Sequence, residues 1–384
     1  MNLAFNRRIS ERMHNFAYAP CVLYSHGITL HFWIFSDIII KKYGYPADAI
    51  NVPGYKGAQS GVLKGQPCKV KETAMNILIK KFIRFYMRDL LTVFRTEGPA
   101  FAEALAEYKV RHPMTSAPPT YIRRKMEVIR RKVKGGVYYV AKDKYNRSGK
   151  TVMFIHGGGF FLEAMPLHWR FCQRLARDTG CTIIFPQYPM VPECGARASH
   201  IMLMEVYKAF AKSGDPKDLT IMGDSAGGTL SLSLSMLARD MGLPLAGEIV
   251  LISPGFTFGE LTEKERRRAA YIKKHDAILG NFPVDKISEL WYSDIDKNDK
   301  RADVKNGDLS GLPHITMISG THDIMNIPAR RFAAKLKKEG HSHEYIEKKG
   351  GAHDYALLKK SKYEYARIVS AVKGSKNYDL IGKQ

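Results

Sequence analysis

From residue 137 onward, short apolar runs rich in β-branched and aromatic residues alternate with longer stretches of helical period. The runs at 137–140, 152–155, 182–185, 219–222, 248–252, 315–318 and 344–347 predict seven strands. Between them 199–212, 226–241 and 327–338 predict helices, the last stopped by Gly340. Strands and helices taking turns in this way predict an α/β class with a mostly parallel sheet covered by helices on both faces. In such sheets ligands gather at the carboxyl ends of the strands, so chemistry is expected there.

The first part of the chain has a different rhythm. It is helix-rich, and the bend Ala117-Pro118-Pro119-Thr120 marks its end. The expected organisation is an N-terminal helical cap or extension over 1–115 and a catalytic α/β domain over 116–384. With 384 residues, 45% hydrophobic and 25% charged, the chain has enough apolar material for a sizeable core, which excludes bulk disorder. The formal net charge is +23. Residues 1–150 hold 27 Lys and Arg against 10 Asp and Glu, so most of the positive field, which draws anionic surfaces and molecules, is N-terminal.

Five cysteines without a C-x-x-C pair, and no His/Cys cluster at zinc spacing, fit a reduced compartment and no metal site. Residues 1–16 lack the apolar run of a secretory signal, and the apolar stretch 21–40 is broken by His26, His31 and Asp37, which hydrocarbon disfavours. The expected location is cytoplasmic, with association at a membrane surface open to the basic N-terminal helices.

The most informative motif is Gly223-Asp224-Ser225-Ala226-Gly227-Gly228, which follows a predicted strand and opens a predicted helix. That is the setting of a G-x-S-x-G elbow, with Ser225 on the turn. A turn so tight brings neighbouring backbone against positions 223 and 227, where a side chain would clash. It also sets the serine at a helix N-terminus, whose dipole favours negative charge. A second motif, His156-Gly157-Gly158-Gly159-Phe160, comes straight after another strand. With the N–H of Ala226, the amides of Gly157 and Gly158 would form an oxyanion hole. A phosphate cradle is the competing use of such glycines, but no G-K-[ST] follows them.

A serine hydroxyl needs a base, and the base a carboxylate to hold its tautomer, in chain order Ser, acid, His. Asp323 follows the strand at 315–318, and His353 follows the last strand in Gly350-Gly351-Ala352-His353-Asp354-Tyr355. Ser225, Asp323 and His353 are therefore the expected catalytic set. Phe160, Phe161 and Trp169 follow the glycines as candidate pocket walls, although large apolar residues after a strand are as often core.

These residues carry a resemblance. Over roughly 115–370 the chain resembles the hormone-sensitive-lipase-like carboxylesterase branch of the α/β-hydrolase superfamily. The similarity rests on His156 to Phe160, on Tyr188-Pro189-Met190-Val191-Pro192-Glu193, on Gly223 to Gly228, on Asp308-Leu309-Ser310-Gly311-Leu312-Pro313, and on Asp323 and His353. It implies an eight-stranded, mostly parallel sheet with a helical cap. It also implies hydrolysis of short to medium carboxylic esters, with a small-molecule ester as partner and no metal or organic cofactor. Departures are Met190-Val191 for Leu-Ala, Thr257 where relatives commonly carry Asp, and Asn326 where the acid loop often has a second acidic residue.

Residues 75–95 set Lys80, Lys81, Arg84, Arg88 and Arg95 at steps of three, four and seven among Ile77, Leu78, Phe82, Phe85, Leu90, Val93 and Phe94. The expected structure is an amphipathic cap helix with a solvated basic face; the competing reading lays it on an anionic membrane and makes the protein a membrane-surface lipase. The cluster Arg123-Arg124-Lys125 with Arg130-Arg131-Lys132 is likewise expected to be a solvated helix face. No element suited to reading nucleic acid is present in the sequence, so nucleic acid is not an expected partner. A third reading is a hydrolase-fold protein that binds ligand without turnover, against which the full set of catalytic residues argues.

Overall fold

The computed structural model describes residues 88–374, apart from 213, 277–278, 281, 297–298, 300 and 302–303. The expectations for the chain start, for 21–40 and for 75–87 lie outside the described residues. Eight strands form one sheet: β1 (Met126–Val133), β2 (Gly136–Asp143), β3 (Thr151–Ile155), β4 (Thr182–Gln187), β5 (Leu219–Asp224), β6 (Glu248–Ile252), β7 (His314–Gly320) and β8 (His343–Lys348). Their order is β1-β2-β4-β3-β5-β6-β7-β8. β1 with β2 and β2 with β4 pair antiparallel, and all other neighbours pair parallel.

The central strands are continuous apolar runs because both faces are covered. The two-residue period of a strand then divides their side chains between two cores. Val152 and Phe154 of β3 join Ile183 and Phe185 of β4 on the face covered by α4 (Pro166–Thr179) and α10 (Lys362–Lys373). Met153 and Ile155 face the other way, toward α5 (Ala196–Ala211) and α6 (Ala226–Asp240). Further along that face, α9 (Asn326–Lys338) packs Ala329, Phe332 and Leu336 on Ile249, Leu251, Ile315 and Met317.

β1 corrects one expectation. The basic cluster is not one helix face: α3 (Thr120–Lys125) ends after a single turn and the chain continues as an edge strand in full register with β2. Met126 is buried while Arg130, Arg131 and Lys132 are exposed. An edge strand leaves backbone groups unpaired, and cations along it deter pairing with another chain. The mixture of charges and apolar residues fitted a helix face only until β2 supplied a partner.

Two further helices precede the sheet, α1 (Arg88–Arg95) and α2 (Ala100–Arg111). In α1 the apolar side, Leu90, Val93 and Phe94, is buried in the core that holds Phe160 and Phe161, while Arg88 and Arg95 are exposed. The Phe94 ring meets Phe161 edge-on at 6.1 Å and Phe282 at 5.3 Å. Lys286 of α8 (Val284–Trp291) donates to the Phe94 and Thr96 carbonyls at 3.2 and 3.1 Å, which satisfies acceptors that a helix end leaves open. The described end of the 75–95 segment is thus a helix whose apolar side packs against the protein core and whose basic side is exposed. Among the described residues no helix is long and apolar enough to cross a membrane. Phe94→Ala should lower unfolding free energy by about 3 kcal/mol or more, read as a drop in the urea midpoint; an unchanged midpoint would show that α1 is not part of this core.

Candidate active site

Ser225 stands between β5 and α6 with φ 49° and ψ −120°, a left-handed conformation that a non-glycine residue adopts only when its surroundings enforce it. The enforcement is local. Ser225 N–H donates to the Ile252 carbonyl at 2.8 Å, and the Ser225 carbonyl accepts from Gly228, Thr229 and Gly255 at 3.0, 3.2 and 2.8 Å. A Cβ at Gly227 would lie 1.9 Å from the Ile155 carbonyl oxygen, and one at Gly223 would lie 2.3 Å from the Gly227 oxygen. Both positions must therefore be glycine, as the tight-turn argument requires.

The second glycine motif lies against the first. A Cβ on Gly157 would come within 3.0 Å of the Ser225 Cβ and 2.4 Å of Asp224 Oδ2. Gly158 has φ 121°, so the loop turns away from β3 in a conformation closed to other residues. The base of the loop is held by the Tyr188 hydroxyl, which donates to the His156 carbonyl at 2.9 Å, while the His156 ring stacks on Tyr188 at 4.7 Å.

Asp323 and His353 come together although thirty positions apart, because β7 and β8 are parallel neighbours and their loops leave the same sheet edge. A Cβ on Gly320 would meet the Gly351 oxygen at 2.2 Å, and His322 N–H donates to that oxygen at 2.9 Å, so the two loops are pressed together. Asp323 Oδ2 lies 3.0 Å from His353 Nδ1, both buried, and Oδ1 accepts from the Met325 amide at 2.8 Å. Burial disfavours the imidazolium, but the charges of Asp323 and Asp354 more than reverse this and raise His353 to about 10. No hydrogen bond joins the Ser225 hydroxyl to His353 among the described residues; Nε2 faces Asp354 Oδ2 at 3.2 Å. The histidine loop is nonetheless tied beside the elbow, since Asp354 N–H donates at 3.1 Å to Ser253 Oγ, one residue beyond the Ile252 carbonyl that holds Ser225.

Three residues of this centre carried no assignment from sequence. Asp224 and Asp354 sit inside quoted motifs next to Ser225 and His353, and that adjacency was the available signal. His168 had none, lying on α4 far along the chain. Its Nε2 is 3.1 Å from Asp224 Oδ2, and the Met165 amide donates to its Nδ1 at 2.9 Å, which directs the ring N–H at the carboxylate. Burial would raise Asp224, yet the contact with His168 holds it below its ordinary value, with smaller help from His156 and the Gly157 backbone.

The candidate pocket residues divide. Phe160 stacks on Trp291 at 4.4 Å and Phe161 packs with Phe94 and Phe282, so both belong to the core that includes α1. Trp169 does not join them. It stacks on Phe185 at 4.3 Å in the opposite core, its Nε1 donating to the Ser116 carbonyl at 3.0 Å, because α4 covers the other face of the sheet. The departures found partners of their own. Asn326 Nδ2 donates to Ser319, Tyr345 and Glu347 at 3.1, 3.1 and 2.8 Å, and its Oδ1 accepts from Arg268 at 2.6 Å, an amide supporting the acid loop. Thr257 accepts from the buried Lys305 at 2.9 Å.

His156 gives the site an acid limit. Burial, with His168 nearby, lowers it to about 4, so the folded state holds it neutral while the unfolded chain protonates near 6.5. The unfolded state then binds more protons between those values, and the stability tied to neutral His156 is complete above 6.5 and lost as pH falls toward 4. Its size is roughly 3 kcal/mol from the shift. Urea midpoints measured from pH 7 to 4.5 should fall, and His156→Gln should flatten that slope; an equally steep slope in the variant would refute the assignment.

The alpha/beta hydrolase fold family matches residues 152–357, from the start of β3 to the end of the histidine loop. An esterase of Acinetobacter venetianus is 30% identical over 191 residues, 49% of this chain and 62% of the relative. A triacylglycerol lipase of Mycobacterium tuberculosis is 24% identical over 285 residues, 71% of this chain and 58% of the relative. The chain thus spans about three fifths of the length of these curated relatives. Among solved structures, an esterase/lipase from an uncultured bacterium superposes with a TM-score of 0.61 at 20% identity, covering 78% of this chain and 97% of that one. An esterase from the bacterial hormone-sensitive lipase (HSL) family gives 0.60 at 20%, covering 76% and 97%, a likeness of fold. The family match takes in the His156–Phe160 glycine loop, the serine elbow, Asp323 and His353, and the chain belongs to the alpha/beta hydrolase fold family.

Proposed function

We propose that the protein is a serine carboxylic-ester hydrolase that acts through an acyl-enzyme on short to medium acyl esters. The observation that carries this reading is the buried Asp323–His353 contact, held next to a serine whose backbone is forced into an elbow at a helix N-terminus. The esterase and lipase among its relatives support the same class of reaction.

In this mechanism Ser225 Oγ attacks the ester carbonyl as His353 Nε2 takes its proton, and Asp323 orients and stabilises the imidazolium. The amides of Gly157, Gly158 and Ala226 receive the oxyanion, each such donor being worth about 3–4 kcal/mol of barrier where measured. His353 then returns the proton to the leaving alcohol. Water activated by the same ring releases the acid, so a pre-steady-state burst accompanies turnover. Phe160 and Phe161 wall the acyl or alcohol pocket, a role supported by their place just after the glycine loop, against Trp291 and Phe94. An N-terminal cap or extension ahead of a catalytic part that starts at 116 is supported, among the described residues, by the packing of α1 and α2 on the same core.

Ser225→Ala should reduce turnover of aryl esters by about 10⁴-fold or more, the scale of single losses from such a set. Initial rates across aryl esters from acetyl to dodecanoyl, with and without anionic vesicles, should peak at acetyl to butyryl and ignore the vesicles. Activation by vesicles that added salt abolishes would instead favour the membrane-surface lipase. Turnover retained in the alanine variant would end the serine mechanism.

A further inference from the structure

Beside the proposed catalytic set lies a second acid, partly buried, that the mechanism does not use. Asp354 follows His353 directly, has φ 55°, and is fixed by its amide on Ser253 Oγ. Its Oδ2 is 3.2 Å from His353 Nε2, the nitrogen that must accept the Ser225 proton. The other oxygen, Oδ1, is buried without a hydrogen-bond partner, and so is Oδ1 of Asp224. The two carboxyl groups are near enough that Asp224 acts on the ionisation of Asp354. Each of these two carboxyl groups thus has an oxygen without a partner, and one proton shared between them would satisfy both.

We propose that Asp354 is a positioning residue that gates the base: ionised, it holds the Nε2–H of His353 away from Ser225; protonated, it turns its hydroxyl to Asp224 and leaves Nε2 free to accept. In the step between these states the Nε2–H bond breaks, an O–H bond forms on Asp354, and imidazolium with carboxylate becomes neutral ring with neutral acid. No proton enters or leaves the site. The ionised state is favoured by Asp323 and Asp276, which act on the ring charge together with Asp354. The protonated state is favoured by burial, which pushes the Asp354 carboxyl well above its ordinary range; His353 pulls it back, and Asp224 and Asp323 push it further up. Behind Asp224, His168 keeps that carboxyl ionised and so ready to accept.

The gate explains why Nε2 meets a carboxylate and not the serine in the free enzyme, and it rests on the reading of His353 as the base. Asp354→Asn fixes the uncharged form, with an amide N–H for Asp224 and a carbonyl near Nε2. The acid limb of kcat/KM for an aryl acetate should move down by about one pH unit or more, the effect of removing one close opposite charge. Ring-nitrogen NMR titration of His353 in Ser225→Ala, with and without Asp354→Asn, should show the same downward shift without relying on turnover. Asp354→Ser removes the same charge and repeats both measurements should the asparagine variant not fold. An acid limb and a ring midpoint that stay within about 0.3 unit of the parent would overturn the gate while leaving the serine mechanism intact. Turnover that survives Ser225→Ala would sink that mechanism, yet the ring titration would still decide whether Asp354 holds Nε2.

Discussion

The contact on which the site depends is between two pieces of backbone. The first turn of α6 approaches the end of β3 so closely that position 227 has no room for a single carbon beside the Ile155 carbonyl. That approach forces Ser225 to φ 49° and lifts its side chain to the end of the sheet where a helix N-terminus supplies positive potential. It also fixes the glycine loop, because His156 and Gly157 continue directly from Ile155. The serine elbow and the glycine loop are therefore two sides of one steric constraint.

Around that rigid junction the polar side chains form an unusually acidic buried set. Asp224 and Asp323 are buried against His168 and His353, and Asp354, partly buried, adds a third carboxyl at His353. Burying an unpaired charge is costly, and two of these acids are paired across loops, Asp224 with His168 and Asp323 with His353. The second acid at Nε2 is surplus to a three-residue set, which is why it is the natural place to look for control of the base.

Much of the fold was legible because strand periods and helix stops are local properties. Seven strands stood out as apolar runs, and three helices fell within about three residues of their expected limits, Ala226–Asp240 and Asn326–Lys338 among them. β1 was not legible: its cations obscure its alternation, and a strand at a sheet edge is defined by its pairing with β2. Ser225, Asp323 and His353 could be read from where their motifs fall relative to strand ends. Trp169 could not be told from a pocket residue, since its position one turn into α4 is the same whichever face of the sheet that helix covers.

By itself the sequence determined that strands would alternate with helices, that a serine would stand on a glycine-flanked turn, and that an acid and a histidine would follow two later strands. These are consequences of backbone freedom and side-chain period, which act over a few residues. Only the tertiary structure decided that Asp354 reaches Nε2, that His168 supports Asp224 from another helix, that Asn326 and Lys305 satisfy the sites of the departures, and that Phe94 covers Phe161. Each of those depends on which loops meet at the end of the sheet. The strand order sets that, through burial of apolar faces distant in the chain.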